Sequence, residues 1–331
     1  MILLVTCVAC VCAAALAGAT PTAAESRPRA ASLASPALLD AVITRTRAPG
    51  GVVAVEGPTG RWIGARGLAD LERRTPMTRA SRFRIGDVTQ AFVGVALLDA
   101  IHQDWTHLEE RASEWLYALD DEVRIRHLYL HTSGLLRSGG VMAGGRRFHY
   151  NPQNYVLLAA ILEAATGSAY ANRLRTRVLR PLKLAATAYD PRVSVPRLAR
   201  GHTSTGRPTP KIVDPKLARA TAIVSTPADL VRFVRIVLSG RFLAERRTRE
   251  LTTFTAAVRG FPADRFGLGL FRVRTPCGPA WGHRGREAGS TTWMFATPDG
   301  ERAVAAAVNV GGLKFARVLD AERAIRVALC A

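Results

Sequence analysis

Segments patterned as β-strands lie near both ends of this chain, and a long helical stretch separates them. Residues 51–56 and 62–67 read as a hairpin around the turn Pro58-Thr59-Gly60. Far along the chain, residues 267–274, 281–285, 291–297 and 303–309 carry the same apolar, β-branched or aromatic character. Helical periodicity predicts a first helix over 38–46 and a buried one over 88–102. Others are predicted over 154–166 and 169–179, within a largely helical stretch from 108 to about 195, then from Pro227-Ala228-Asp229-Leu230 to Leu238, and last over 314–329. Strands so far apart in sequence must join one sheet, with the intervening helices packed beside it. The expected fold is α/β (α+β): an antiparallel sheet flanked by helices, with an inserted, mainly helical lobe. The sheet lobe should take residues 36–86 and 215–331 and the helical lobe 87–214, in a single domain over 36–331.

The N-terminus has a different character. Residues 1–19 hold no charged side chain, run apolar through Leu3-Leu4-Val5 to Leu16, and end in Ala17-Gly18-Ala19, small residues suited to signal cleavage. A second such point follows Ala24, so residues 1–24 are expected to be a signal peptide. The usual basic opening is missing, and an uncleaved anchor is the alternative. The run is marginal against the roughly 20 residues that span a bilayer. No stable membrane span is therefore expected after cleavage. Ala19 occupies the place where a lipidated Cys would stand, which excludes that anchor. Residues 25–35, rich in Ala, Pro and Ser, should form a linker.

The cysteines agree with a secreted, extracytoplasmic protein. Cys7, Cys10 and Cys12 fall in the leader, leaving Cys277 and Cys330 to pair as a disulfide outside the cytoplasm. The net charge of +20 is almost all arginine, with lysine only at positions 183, 211, 216 and 314. Such charge attracts anionic polymers. The arginines are scattered singly or in pairs such as Arg73-Arg74, with no aromatic-interleaved patch, so no nucleic-acid partner is expected. An anionic polymer of the cell envelope is the first partner an exported chain of this charge would meet.

The segment Phe83-Arg84-Ile85-Gly86-Asp87-Val88-Thr89-Gln90, the block R-I-R-H-L-Y-L-H-T-S-G-L over 124–135, the segment 148–163, the Ser-Thr-x-x-Asp-Leu element from Ser225, and Trp281-Gly282-His283-Arg284-Gly285 occur in that order. Together they resemble the serine β-lactamase and D-alanyl-D-alanine carboxypeptidase family, the penicillin-recognising serine hydrolases. That resemblance implies a β-lactamase/transpeptidase-like fold. It also implies an acyl-enzyme mechanism in which a helix-borne Ser attacks a carbonyl and a Lys one turn later activates it. The spacing has a physical reason, since residues three apart share a helix face.

The family's reactive groups are not present at the matching positions. Asp87 stands in the place of Ser and Gln90 in the place of Lys, and a neutral amide cannot act as a base. In Tyr150-Asn151-Pro152 the family's Tyr is kept, but Pro152 replaces the Asn that would hold the substrate amide. Asn151 is not expected to substitute, because neighbouring side chains point in different directions. His283 and Gly285 match the family's His-Thr-Gly strand, with Arg284 in the middle. Gly285 would permit a close approach of backbone or ligand.

Simpler readings exist for each residue. Asp87 precedes an apolar helix and suits an N-cap or first turn, although a carboxylate is also a nucleophile in principle. Gln90 is a good helix former. Tyr150 is either a proton shuttle or a half-buried aromatic bonded to backbone. His283 is a strand histidine that would reach Asp87. His127 and His131, four apart, would share a helix face, but no Glu accompanies them and the family block accounts for both, so no metal or other cofactor is expected. Ser133 falls in a helix-ending turn with Gly134 and reads as structural.

The function expected from these readings is an exported protein of this family that lacks serine acyl transfer and binds a peptidoglycan-type peptide or other cell-wall ligand in a vestigial cleft. The alternative is a hydrolase with remodelled chemistry, using Asp87, Tyr150 and His283 as an acid/base set.

Overall fold

The protein is described here from a computed structural model that covers residues 30–117, 119–136, 147–210, 213–253, 255–258 and 263–331. The predicted leader and the first residues of the predicted linker lie outside it. Among the described residues, nine strands form an antiparallel sheet, built from both ends of the chain. From the N-terminal part come β1 (Gly50–Gly57), β2 (Gly60–Asp70) and β3 (Thr75–Pro76). β4 (Phe83–Arg84), β5 (Ala188–Tyr189) and β6 (Ile223–Ser225) form a separate three-stranded sheet in the order β4-β6-β5. The C-terminal part adds β7 (Ala256–Ala257), β8 (Arg265–Phe266), β9 (Phe271–Thr275), β10 (Gly278–Glu287), β11 (Ser290–Ala296) and β12 (Ala303–Val308). The large sheet runs β3-β2-β1-β12-β11-β10-β9-β8-β7, so the first hairpin and the last strands meet at β1 and β12, where Val53 faces Ala306.

Every residue of β11 and β12 is buried, so both faces of the sheet centre are covered. Helices α1 (Ala30–Thr46) and α9 (Phe315–Ala328) pack together on one face, and α7 (Pro227–Leu238) packs against β1, β11 and β12 on the other. α7 has a strong start: Thr226 accepts a hydrogen bond from the Asp229 N–H, and Pro227 opens the first turn. Its Phe233 stacks on Phe92 at 3.9 Å between ring centres, which fastens the sheet to α2 (Thr89–His102), the buried helix. Around α2 lie α3 (Ile125–Tyr129), α4 (Gln153–Thr166), α5 (Tyr170–Arg173) and α6 (Ala218–Thr221), while α8 (Glu245–Thr253) follows α7.

Several local expectations change. Residues 30–35, expected as linker, are the first turns of α1, because Ala and Leu favour helix. The helix expected over 169–179 begins as α5 and continues as a wider π-type turn over Leu174–Leu179. The strand expected over 267–274 starts only at Phe271. Gly269 adopts φ +95° in a turn that lies against the backbone of α2 at Gln90, and a side chain there would meet the Gln90 carbonyl. α8 was not expected, since only Glu250 and Leu251 of it are buried and no apolar periodicity marks it. α3 ends at Tyr129 and His131 has φ +53°, so His127 and His131 do not share a helix face.

Candidate functional site

Backbone contacts between β10 and the turn before α2 place the site. An added Cβ at Gly285 would lie 1.8 Å from the Ile85 carbonyl oxygen, and one at Gly86, whose φ is +54°, 2.7 Å from that of Arg286. Only glycine fits either position. Gly285 thus serves a backbone–backbone approach. Ile85 is also tied to β6 by a hydrogen bond from its N–H to the Ile223 carbonyl, 3.0 Å. β10 and β6 therefore fix the short 3₁₀ turn Gly86–Val88 that presents Asp87. No side chain caps either that turn or α2, whose N-cap is Val88, so Asp87 is not a cap; it lies in the first turn, the other place its sequence position suggests.

Asp87 instead takes part in a side-chain relay. The fully buried Gln90 donates its amide to the Tyr150 hydroxyl at 2.7 Å and, more weakly, to Asp87 Oδ1 at 3.4 Å. Tyr150 in turn is hydrogen-bonded to Asp87. Its hydroxyl therefore has side-chain partners, not the backbone partner considered from sequence. Burial pushes the Tyr150 phenol well above its ordinary pKa, and the Asp87 charge adds to that. Tyr150 is thus held protonated. Gln90 Oε1 is buried and has no hydrogen-bond partner among the described residues.

Pro152 opens α4 and supplies no polar group to the site. The Asn151 side chain is engaged elsewhere: its amide donates to the Leu135 carbonyl at 3.0 Å and its oxygen accepts from the Gln153 N–H at 3.0 Å. The substrate-amide contact expected of this motif is accordingly absent at both residues. Ser133 donates to Asn154 Oδ1 at 2.8 Å and is buried.

His283 does not pair with Asp87. Its Nδ1 bonds the Arg284 carbonyl at 2.7 Å, which places the proton on Nδ1 and leaves Nε2 a buried acceptor with no partner among the described residues. Strong competition from the adjacent backbone carbonyl explains the lost pairing. Burial holds the His283 pKa down at about 3, so the ring is neutral near pH 7. Behind Tyr150, at 4.6 Å between ring centres, His131 is likewise held near 3 by burial and by His283. Arg284 forms a two-pronged ion pair with Glu322 of α9, at 2.6 and 3.0 Å, while its guanidinium lies 4.6 Å from the Phe271 ring centre.

Asp87, Tyr150, Pro152 and His283 line one open cleft of about 500 Å³. Gln90 lies beneath it through its bond to Tyr150. Sequence reasoning missed the rest of the wall. Asp214, Leu217 and Thr221 come from the segment around α6, and Arg286, Glu287 and Phe315 from the end of β10 and the start of α9. The proximity of Arg286 and Glu287 to the His-x-Gly strand was a usable signal; nothing in the sequence marks Asp214. Burial raises the Glu287 pKa, Asp214 adds to that, and Arg84 opposes it.

A model of the Beta-lactamase family matches residues 37–329. The chain belongs to this family. Among solved structures, D-amino acid amidase from Ochrobactrum anthropi SV3, in complex with L-phenylalanine, is 25% identical with a TM-score of 0.79, covering 89% of this chain and 98% of that one. Teichoic acid D-alanine hydrolase of Staphylococcus aureus is 26% identical over 211 residues, 56% of this chain and 53% of the relative. Penicillin-binding protein 4* of Bacillus subtilis is 23% identical over 292 residues, 74% of this chain and 64% of the relative. The chain thus spans about half the length of the first of these two relatives and under two thirds of the second. The large antiparallel sheet flanked by helices is the β-lactamase/transpeptidase-like fold. Among the described residues, no helix is long and apolar enough to cross a membrane.

Proposed function

We propose that this protein is an exported, non-acylating member of its family that binds an amine-bearing peptide or D-amino-acid derivative in the cleft. One observation carries the reading: the groups at the matching positions are hydrogen-bond acceptors, and two of them have no donor among the described residues. Asp87 offers a carboxylate, and His283 Nε2 and Gln90 Oε1 are buried acceptors without partners among the described residues. An ammonium group brings three donors and a positive charge. A carboxylate ligand would meet Asp87 as a like charge.

Chemistry at these groups is disfavoured. A carboxylate nucleophile attacking an amide or ester would have to expel the amine or alcohol and form a mixed anhydride, a species of higher energy than the starting bond. The phenol of Tyr150 is too weakly acidic to become a base, and the neutral His283 ring is too weakly basic to take or hold a proton near pH 7. Two members of the remodelled acid/base set, Tyr150 and His283, therefore lack a suitable pKa. The names of the relatives, a D-amino acid amidase and a teichoic acid D-alanine hydrolase, support a D-amino-acyl ligand class. The apolar leader and the Cys277–Cys330 pair support export.

The test has two arms. Fluorescent penicillin and serine-directed phosphonates should leave the wild-type mass unchanged, and stoichiometric acylation by intact-mass spectrometry overturns the non-acylating reading. Calorimetric titration with D-phenylalaninamide should show binding that N-acetylation of the ligand or Asp87→Asn weakens by tenfold or more. Equal affinity for the acetylated ligand sinks the amine assignment.

A further inference from the structure

A second cavity, of about 320 Å³, lies away from the lining of the cleft, beside β2 and β3. Arg73, Arg84, Arg197 and Arg200 line it against one carboxylate, Asp70. These arginines come from three separate stretches of sequence. The fold brings them together: the Arg82 N–H bonds the Arg197 carbonyl at 2.9 Å, Ala199 N–H bonds the Arg82 carbonyl at 2.8 Å, and Arg200 N–H bonds the Ala69 carbonyl at 2.8 Å. Residues 197–200 are thereby laced between the segments that carry Asp70 and Arg84.

Charge and hydrogen bonding leave the same demand. The buried Arg84 acts electrostatically on Glu287, which lies outside the cavity. Asp70 Oδ1 is occupied by the N–H groups of Glu72 and Arg73. None of Arg73, Arg197 and Arg200 is in an ion pair among the described residues. Two donors on the cavity wall also lack acceptors: Arg200 Nε and the hydroxyl of Thr209, a residue only 6% exposed. That hydroxyl sits where a side chain at Gly201 or Gly289 would collide with it, and the Thr209 N–H bonds the Gly201 carbonyl at 2.8 Å. Buried donors without acceptors are rare, and each calls for a physical reason.

We propose that this cavity is an oxyanion site that takes a phosphate group, free or at the end of a phosphate polymer. Three unpaired guanidiniums and a hydroxyl donor match a tetrahedral, multiply charged oxyanion better than a single carboxylate, because planar guanidiniums bind phosphate oxygens in pairs. The site shares no lining residue with the cleft, and the proposal does not depend on whether the cleft acylates.

The probes are inorganic phosphate and tripolyphosphate, read by calorimetry and by thermal shift at constant ionic strength. Wild type should bind saturably at one site. Replacing Arg73, Arg197 and Arg200 together by Gln should reduce affinity at least tenfold. A control with Arg180, Arg265 and Arg323 replaced by Gln lowers the net charge equally and should bind as wild type does. Thr209→Val removes only the orphan hydroxyl; it should weaken phosphate binding several-fold while the ligand-free protein stays as stable or becomes more so. Tighter binding of tripolyphosphate than of phosphate assigns the site to a polymer end, and equal binding assigns it to the free ion. Absence of saturable binding, or equal losses in the two triple variants, overturns the proposal.

Discussion

Restoring the family's reactive pair tests the site, and the structure says the two substitutions must be made together. In Gln90→Lys alone, the new ammonium takes the place of an amide nitrogen 3.4 Å from Asp87 Oδ1. An opposite charge at about that distance is worth roughly 5 kcal/mol at an effective dielectric of about 20, a bias of more than a thousandfold toward the protonated lysine. A lysine so held is no base. In Asp87→Ser alone, the hydroxyl has only a glutamine beside it and stays unactivated. The double variant removes the carboxylate from a position-90 side chain that is fully buried, so desolvation favours the neutral amine and a base appears. Both single variants should be inert and the double should acylate slowly, a non-additivity expected of groups that act as a unit. The rate should stay ~10²-fold or more below a complete site, because neither Pro152 nor Asn151 offers the substrate amide a partner. Pro152→Asn should then raise it, and Asn is well suited to the N-cap of α4. Time courses with fluorescent penicillin, with adducts confirmed by intact mass, read all four proteins. A folded triple variant that forms no adduct refutes the reasoning, since it would mean that the cleft walls at Asp214, Arg286 and Glu287 have been remodelled beyond the family's substrate.

Three further outcomes are expected. Cys277 and Cys330 are joined by a disulfide, with Cα atoms 5.6 Å apart, that ties the turn before β10 to the end of α9; replacing both by Ser should cost about 2–4 kcal/mol in urea unfolding, and an unchanged midpoint contradicts this. Gly285→Ala should destabilise by about 3 kcal/mol or more, or abolish folding, because its Cβ would fall 1.8 Å from the Ile85 carbonyl; wild-type stability for this variant would mean that β10 and the Asp87 turn are not in contact. His131 and His283 are held near 3 in the fold against an ordinary 6.5. The unfolded chain therefore binds their protons more readily, and their contribution is complete above about pH 6.5 and lost as pH falls toward 3, at a slope of roughly 1.4 kcal/mol per pH unit for each histidine. Denaturant unfolding at pH 7.5, 6 and 5 measures that slope, and His283→Gln should reduce it; a flat profile rules out the buried neutral rings.

The parts of this fold that follow from local pattern were legible in the sequence. β1, β2, β11, β12, α2, α4, α7 and α9 all begin and end within a few residues of expectation, because each either repeats an apolar period or is apolar along most of its length. What failed depends on distant chain. The two-residue strands β7 and β8 exist only through pairing with their neighbours, and α8 buries too little to leave a periodic trace. Within the site, the resemblance brought Asp87, Tyr150, Pro152 and His283 to one cleft, but side-chain partners were set by competition that sequence does not show. His283 chose the Arg284 carbonyl over Asp87, and Asp87 chose Tyr150 over helix amides. The arginines at 73, 197 and 200 looked scattered because their meeting depends on backbone bonds between strands far apart in the chain.

The two substitutions in the first turn of α2 also change what the cleft attracts. A Ser and a protonated Lys would give that pair a charge of +1, whereas Asp87 and Gln90 give −1, a change of two units at the cleft floor. The neighbouring walls do not restore the balance. Arg284 is committed to the buried Glu322, while Asp214 and Glu287 add negative charge that Arg286 on the wall and Arg84 beside Glu287 oppose. In a chain whose net charge is +20, the cleft lining thus holds three carboxylates, Asp87, Asp214 and Glu287, beside Arg284 and Arg286. Long-range attraction for anions and short-range preference for an ammonium are thus separated in space, which is what a ligand with anionic backbone and amine-bearing substituents requires. If that separation is real, raising salt should weaken association with an anionic polymer far more than it weakens calorimetric binding of D-phenylalaninamide, because exposed charges are screened and the partly buried Asp87 site is screened much less. Equal salt sensitivity of the two would place both interactions on the same exposed surface and remove the cleft from the account.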